Sequence, residues 1–322
     1  MMVPGRLLGL RVVAAIVLLA ILLHFVPPLQ VATILRSSSP GWLLLAAVIV
    51  FAWRVIAAQR LRVFTSAQDL TVSSSRLYAV SLISSFFGTV TPGYAFTGVV
   101  RWYLVSEAGR YKSAALAALF NDRLTDLAIM FGMGLGGLLL TQLPTRPGLL
   151  LPAATLFVLL VASWFALGSS VVTAILPRLA QRLPRKLRRP AVNLAAALGQ
   201  FGQMPASARL HALLLGAASN ALNALGMYCL VLALDLPLSY YDVLWLRCAV
   251  FTAGTLPITI MGLGVREGML IALLLPAGIG AELAVAFSLL ILARELLAAA
   301  AGGIAMAFWR GPSPFQRTAA QS

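Results

Sequence analysis

Long apolar runs separated by short polar connections dominate the sequence. A transmembrane α-helix needs about 20 consecutive apolar residues to cross the hydrocarbon core of a bilayer. Runs of this kind occur at 8–26, 41–60, 113–141, 149–171, 209–235 and 281–309. The pattern predicts an all-α fold, a polytopic transmembrane helix bundle in which each run forms one membrane-spanning helix.

Two further apolar regions, 73–108 and 240–276, are each interrupted near the middle. The first contains Thr-Pro-Gly at 91–93, and the second contains Leu-Pro-Ile-Thr-Ile-Met-Gly-Leu-Gly at 256–264. Proline removes a backbone hydrogen-bond donor and glycine weakens a helix, so each break leaves two arms that are short for a full crossing. We expect both regions to form discontinuous or re-entrant helical hairpins.

The two interrupted regions also resemble each other. In each, a Gly-Thr pair precedes a proline, and an arginine follows nine residues after that proline, Arg101 in the first and Arg266 in the second. Basic residues in the connections place the two hairpins on opposite faces of the membrane under the positive-inside rule. The sequence therefore predicts one membrane domain, 1–322, containing an inverted repeat with halves at 41–141 and 209–309.

Composition and charge agree with a membrane protein. Hydrophobic residues make up 61% of the chain and charged residues 10%, whereas a soluble domain is about a quarter charged. The formal net charge of +15 lies largely in connections such as 178–190, which the positive-inside rule assigns to the cytoplasm together with both termini. No nucleic-acid-binding module accompanies the basic residues, so we expect no nucleic-acid partner.

Motifs for catalysis or metal binding are missing from the sequence. The two cysteines, Cys229 and Cys248, lie inside apolar runs, and His24 and His211 have no neighbours at metal-ligand spacing. The chain has no Walker loop, no His-Glu-x-x-His and no nucleophile elbow. We therefore expect no cofactor, no metal, no disulfide and no enzyme activity.

Charged residues inside apolar regions are the main candidates for function, because each costs at least about 2.5 to 3.5 kcal/mol at the bilayer centre. Ten fall in such regions: Arg54, Arg101, Asp122, Arg123, Asp126, Arg247, Arg266, Glu267, Arg294 and Glu295. Arg101 and Arg266 each open a half-helix after a break, where backbone N–H groups and a guanidinium fork together favour phosphate. We expect these two arginines to bind an anionic lipid headgroup directly.

The remaining candidates would shape and balance that site. Prolines and glycines of the breaks would form the pocket together with Glu267: Pro92, Gly98, Pro257, Gly262 and Gly264. A supporting charge network would consist of five residues: Asp122, Arg123, Asp126, Arg294 and Glu295. The alternative is that these residues are buried ion pairs that join helices and bind nothing. Arg54 and Arg247 are interpreted as structural or snorkelling residues.

The segment Leu-Pro-Ile-Thr-Ile-Met-Gly-Leu-Gly-Val-Arg-Glu-Gly at 256–268 resembles an element of the lysylphosphatidylglycerol synthase transmembrane family, also called flippase-like. Segments 91–104 and 120–127 resemble first-half elements of the same family. The resemblance implies a multi-pass inner-membrane protein that moves lipid between leaflets and in some members is fused to an aminoacyl-transferase domain. The chain ends at Ser322, so we expect no such domain here.

One departure from the family pattern affects Arg101. Many relatives carry an acidic residue beside the glycine that precedes this arginine, whereas this chain has Thr-Gly-Val-Val-Arg. Asp122 or Asp126 becomes the candidate partner of Arg101.

Three functional hypotheses remain open from the sequence. The leading one is a lipid translocase whose partners are membrane lipids with anionic headgroups, with cargo and oligomeric state undetermined. The second is a non-transporting membrane partner that holds a lipid- or glycan-modifying enzyme through the basic connection 178–190. The third is an intramembrane enzyme that uses Asp122, Asp126 or Glu267 as acid or base.

Overall fold

The computed structural model describes residues 28–90, 94–107, 111–141, 150–167, 175, 178–179, 181, 184–255 and 264–309. Within these ranges the regular secondary structure is helical, with eleven α-helices and one 3₁₀ turn at Leu275–Ala277. The helices are α1 Pro28–Ser37, α2 Pro40–Ser66, α3 Ser74–Val90, α4 Tyr94–Val105, α5 Lys112–Leu140, α6 Leu150–Leu167, α7 Arg185–Gln203, α8 Ala206–Ala233, α9 Tyr240–Thr255, α10 Val265–Leu274 and α11 Ala281–Ala307.

Four helices, α2, α5, α8 and α11, are long and apolar enough to cross a membrane. They contain 27, 29, 28 and 27 residues and coincide with the spans predicted at 41–60, 113–141, 209–235 and 281–309. The shorter apolar helix α6 lies within the span predicted at 149–171, and the span predicted at 8–26 lies outside the described residues. The prediction of an all-α membrane bundle is therefore confirmed.

Both interrupted regions consist of two short helices. In the first, α3 has 17 residues and α4 has 12; in the second, α9 has 16 and α10 has 10. Pro92, Pro257 and Gly262 lie outside the described residues. Gly264 is described and has φ 83°, a left-handed value that favours glycine. Its N–H donates to Glu267 Oε2 at 2.6 Å and so caps the start of α10.

Three helix pairs form most of the bundle: α2 packs along α8, α3 along α11, and α5 along α9. Exchanging the two predicted halves turns α2 into α8, α3 into α9 and α5 into α11. Under this exchange the pair α2–α8 becomes α8–α2, which is the same pair. The pair α3–α11 becomes α9–α5, which is the third pair. The packing is compatible with an inverted repeat, which stays a prediction because packing partners alone do not give helix direction.

The apolar core has two large parts. One lies among α8, α9, α10 and α11 and contains the buried residues Met227, Leu270 and Phe287. The other lies among α2, α3 and α4 and contains Leu61 and Leu77. Some of the ion pairs described below join helices of the two parts, such as that of Arg54 on α2 with Glu295 on α11.

Helix α7 overlaps the end of the basic loop at 178–190. It begins at Arg185, so the last part of that loop is helical. Its Phe201 is buried, with ring centroids 6.1 Å from Phe64 and 5.5 Å from Trp164. The apolar face of α7 thus packs on the bundle, against α2, α5 and α6.

Candidate functional site

Polar side chains lie at the middle of all four long helices. Arg54, Asp126, Asn220 and Glu295 are each the fifteenth residue of their helix, in α2, α5, α8 and α11 respectively. With a rise of 1.5 Å per residue, each is about 21 Å from the start of its helix. A polar layer therefore crosses the bundle near the depth at which burying charge costs most.

The larger group in this layer we call the central cluster; it contains Arg60, Arg101, Asp122, Arg123, Asp126, Asn220 and Arg247. Arg60 lies at its centre, with a side chain only 4% exposed. Its Nε donates to Asp122 Oδ1 and its Nη1 to Asp126 Oδ1, both at 2.8 Å. Arg60 thus joins α2 to two successive turns of α5.

Arg101 lies at the more open side of the central cluster. Its Nη2 is 3.6 Å from Asp122 Oδ2, so Asp122 is the partner that the sequence left open. The side chain of Arg101 is 26% exposed, and its buried Nε has no hydrogen-bond partner among the described residues. The Nε–H group of Arg101 is therefore a hydrogen-bond donor that Asp122 leaves unused.

Gly98 precedes Arg101 by three residues on α4. A Cβ built at Gly98 would meet no atom within 4 Å in the part of the chain that the structure describes. Open space therefore lies beside α4 about one helical turn before Arg101.

Two more arginines complete the central cluster. Arg123 Nη1 lies 3.2 Å from Asp126 Oδ2, and its guanidinium stacks 4.8 Å from the centre of the Phe251 ring. Arg247 on α9 reaches Asp126 indirectly: its Nη1 donates to the backbone carbonyl of Asn220 at 2.9 Å, and its Nη2 donates to Asn220 Oδ1. Asn220 Nδ2 in turn donates to Asp126 Oδ1 at 3.0 Å.

The charges of the central cluster do not balance. Four arginines face two aspartates, which leaves a formal excess of two positive charges among the described residues. Unpaired charge in a low-dielectric interior is costly, so an anion that entered this layer would be stabilised there. The excess positive charge of the arrangement suits it to hold a phosphate or carboxylate group.

A second polar group, which we call the α11 cluster, contains Arg54, Asn223, Arg294 and Glu295. Glu295 accepts from Arg54 Nη2 at 2.9 Å and from Arg294 Nη2 at 3.4 Å. Arg294 Nη2 also donates to Asn223 Oδ1 at 2.9 Å. Two arginines thus share one carboxylate that is 34% exposed.

Arg266 and Glu267 belong to neither cluster. Arg266 Nη2 donates to Glu267 Oε1 at 2.7 Å, and Arg266 Nε donates to Ser288 Oγ at 2.6 Å. Ser288 Oγ donates to Glu267 Oε1 at 2.6 Å, which closes a triad between α10 and α11. Arg266 is 5% and Glu267 2% exposed. No contact among the described residues joins Arg266 to Arg101, so the geometry favours the alternative of a buried ion pair for Arg266.

Sequence reasoning missed several members of these groups. Arg60 was not among the ten charged candidates because it is the last residue of a predicted span, and Arg247 was interpreted as structural or snorkelling. Asn220 and Asn223 were overlooked because they carry no charge. Their spacing of three residues inside an apolar span places them near one face of α8 and was the available signal.

No group of three or more His, Cys, Asp or Glu residues that could hold a metal ion occurs within the described ranges. The arginine-rich clusters are instead chemically suited to oxyanions.

Comparison with known proteins supports the membrane interpretation. The family model described as the lysylphosphatidylglycerol synthase TM region matches residues 6–303. Neither a curated protein nor a solved structure matches the chain. The matched range includes both interrupted regions and every residue of the two clusters. The protein therefore belongs to the family of the lysylphosphatidylglycerol synthase transmembrane region.

Proposed function

We propose that this multi-pass membrane protein is a lipid translocase that binds an anionic or phosphate-bearing headgroup at the central cluster. The observation that carries the proposal is the excess of two positive charges in the central cluster, in which the side chains of Arg101 and Arg123 are partly exposed. The family name refers to a phospholipid, which supports lipid as the cargo class. A protein without an anionic ligand gains little from a net positive group inside a bilayer.

Within this proposal Arg101 is the direct ligand of the headgroup. Its unpaired Nε and its loosely held Nη2 can both donate to phosphate oxygens, and a bidentate arginine contact is among the strongest hydrogen-bonding modes for phosphate. Arg60 and the two aspartates hold the cluster together, since Arg60 donates from Nε to Asp122 and from Nη1 to Asp126. The closed triad of Arg266, Glu267 and Ser288 positions the second hairpin.

Movement of the first hairpin would couple binding to transport. Arg101 lies on α4, whereas its partner Asp122 lies on α5, and 3.6 Å is longer than a tight ion pair. A headgroup that takes over the donors of Arg101 weakens the link between the two helices. The hairpin can then shift relative to α5 and expose the headgroup to the other leaflet while the lipid tails stay in the bilayer.

The proposed location is the inner membrane, with both termini in the cytoplasm. The positive-inside rule supports this orientation, because the connection 178–190 and the ends of the chain are basic.

A leaflet-resolved assay tests the translocase. Proteoliposomes would contain fluorescent phosphatidylglycerol, and dithionite would quench the label in the outer leaflet. Arg101→Ala is expected to slow movement at least tenfold, and Arg101→Lys partly, because lysine keeps the charge but loses the planar fork. Arg76→Ala is the matched control, since Arg76 lies outside the central cluster, where it pairs with Glu107 at 3.9 Å and its guanidinium lies 5.4 Å from the centre of the Trp309 ring. Equal rates for Arg101→Ala and the control would exclude this role for Arg101.

The second candidate, a non-transporting partner of a lipid- or glycan-modifying enzyme, is favoured by one observation. Arg188 and Arg189 at the start of α7 are exposed, although the rest of that helix packs on the bundle. Replacing both with glutamine would release a partner enzyme held at this surface and would leave the transport rate unchanged. Co-purification of an enzyme with the unaltered chain, lost in this variant, would favour the scaffold.

A further inference from the structure

Two cavities lie along the seam between α2 and α8. The first has a volume of about 470 Å³ and lies where α2 ends and α8 begins. Its polar lining residues are Gln59, Arg62, Ser66 and His211. The second has a volume of about 640 Å³ and lies deeper along the same two helices. Its lining residues are Ile56, Ala218, Ala221, Leu222, Leu225, Tyr228 and Tyr240.

The two cavities share one face of each helix. On α2, Ile56 lies one turn before Gln59, which places both on the same side. On α8, residues 211, 218, 222 and 225 follow the spacing of a single helical face. From His211 to Leu225 the helix rises about 21 Å. The seam therefore has a polar end at the bundle surface and an apolar end near mid-membrane.

The polar end carries positive charge that has no carboxylate partner. Arg62 is exposed, and its side-chain hydrogen bond among the described residues is a long one of 3.4 Å to Ser74 Oγ. His211 is exposed on the opposite wall. No aspartate or glutamate is among the described residues that line either cavity. The donors of Arg62 are available for an anion.

The apolar end is lined mainly by apolar side chains. The hydroxyl of Tyr240 donates to the backbone carbonyl of Ala221 at 2.9 Å, and the ring of Tyr228 packs edge-on against it. Ala218 and Leu225 are exposed on the surface of a membrane-spanning helix. In a bilayer such a groove accepts a hydrocarbon chain.

We propose that this seam binds one anionic glycerophospholipid, with its phosphate between Arg62 and His211 and an acyl chain along the deeper cavity. The site is separate from the central cluster, because Arg60 and Arg62 lie about 200° apart around α2 and Arg60 is turned inward. The predicted topology places the polar end at the cytoplasmic leaflet. Binding here does not require that the protein translocate lipid.

The predicted helix at 8–26 is the competing occupant of the seam. Residues 1–27 contain no aspartate or glutamate, and their ionisable side chains are Arg6, Arg11 and His24. A segment with only basic groups cannot neutralise Arg62, whereas a phosphodiester can. Charge complementarity therefore favours the lipid.

Native mass spectrometry of the full chain in detergent tests the proposal by titration with dioleoylphosphatidylglycerol. The double substitution Arg62→Gln with His211→Gln is expected to weaken binding of one lipid about tenfold, the loss expected for a charge-assisted hydrogen bond. Leu222→Trp fills the deeper cavity and should weaken binding without changing charge. Arg36→Gln is the control, because Arg36 is exposed at the end of α1, away from the seam.

Each of four results would overturn the proposal. The first is that dioleoylphosphatidylcholine binds as tightly as dioleoylphosphatidylglycerol, which would mean that the seam does not recognise net charge. The second is that glycerol 3-phosphate displaces dioleoylphosphatidylglycerol at an equal concentration, which would mean that the site binds an anion but no acyl chain. Both seam variants could bind like the control. A disulfide between Ile16→Cys and Leu222→Cys, formed efficiently in lipid after Cys229→Ala and Cys248→Ala, would show that the chain itself fills the groove.

Discussion

Neutralising Asp122 is expected to destabilise the protein strongly, because this carboxylate is 3% exposed and accepts from Arg60 at 2.8 Å. At an effective dielectric constant of 20, the attraction at that distance is about 6 kcal/mol before desolvation is subtracted. Removing one partner of a buried pair typically costs about 3 to 5 kcal/mol, since the other charge stays buried. Asp122→Asn would also raise the positive excess of the central cluster by one.

An exposed ion pair shows how small the loss of stability should be when the pair is not buried. Arg76 and Glu107 are 3.9 Å apart, with side chains 37% and 42% exposed. A pair of this kind contributes about 0 to 1 kcal/mol. Glu107→Gln is therefore the matched control for Asp122→Asn, as each change replaces one carboxylate with an amide.

The assay is reversible unfolding in mixed micelles with increasing SDS, followed by circular dichroism. Asp122→Asn should lower the free energy of unfolding by about 3 kcal/mol and Glu107→Gln by less than about 1 kcal/mol. An equal, small effect of both single changes would refute the reasoning.

Two further predictions concern packing and the second hairpin. Gly226→Ala should cost about 1 to 3 kcal/mol of unfolding free energy, because the new Cβ would lie 2.8 Å from Ile49 Cγ2, whereas Gly136→Ala, with no atom within 4 Å, should cost nothing in the same SDS titration. Ser288→Ala removes the hydroxyl that bridges the ion pair of the triad and should cost about 1 to 3 kcal/mol, with faster amide hydrogen exchange confined to α10 and its neighbours.

The sequence predicts the membrane-spanning helices well because hydropathy depends on local composition. The four long helices coincide with predicted runs, and both interrupted regions end helices where proline and glycine were expected to do so. A backbone that cannot complete its hydrogen bonds in lipid must form helices over such runs. These features need no knowledge of which helix packs on which.

The pairing of charges could not be predicted in the same way, because it depends on contacts between distant parts of the chain. Arg60 and Asp122 are 62 residues apart, and Arg54 and Glu295 are 241 apart. The predicted span ended at residue 60, yet α2 continues to Ser66. Hydropathy marks where a helix faces lipid, and it does not show that a charged residue after that stretch turns back into the bundle.

The roles of the two arginines that the sequence treated as equivalent also differ in the structure. Arg266 has a carboxylate next to it in the sequence and a serine on α11, so its hydrogen bonds are satisfied. Arg101 has neither and shares Asp122 with Arg60. Similar motifs predicted similar sites, but the neighbours supplied by other helices are different.

The most direct test of headgroup binding at the central cluster is an electron cryomicroscopy structure of the protein in nanodiscs containing phosphatidylglycerol. The proposal predicts a phosphate density within about 3 Å of the guanidinium of Arg101, the distance of a charge-assisted hydrogen bond. A cluster sealed by protein side chains, with Arg101 fully paired and lipid phosphates found only at the two membrane surfaces, would contradict it.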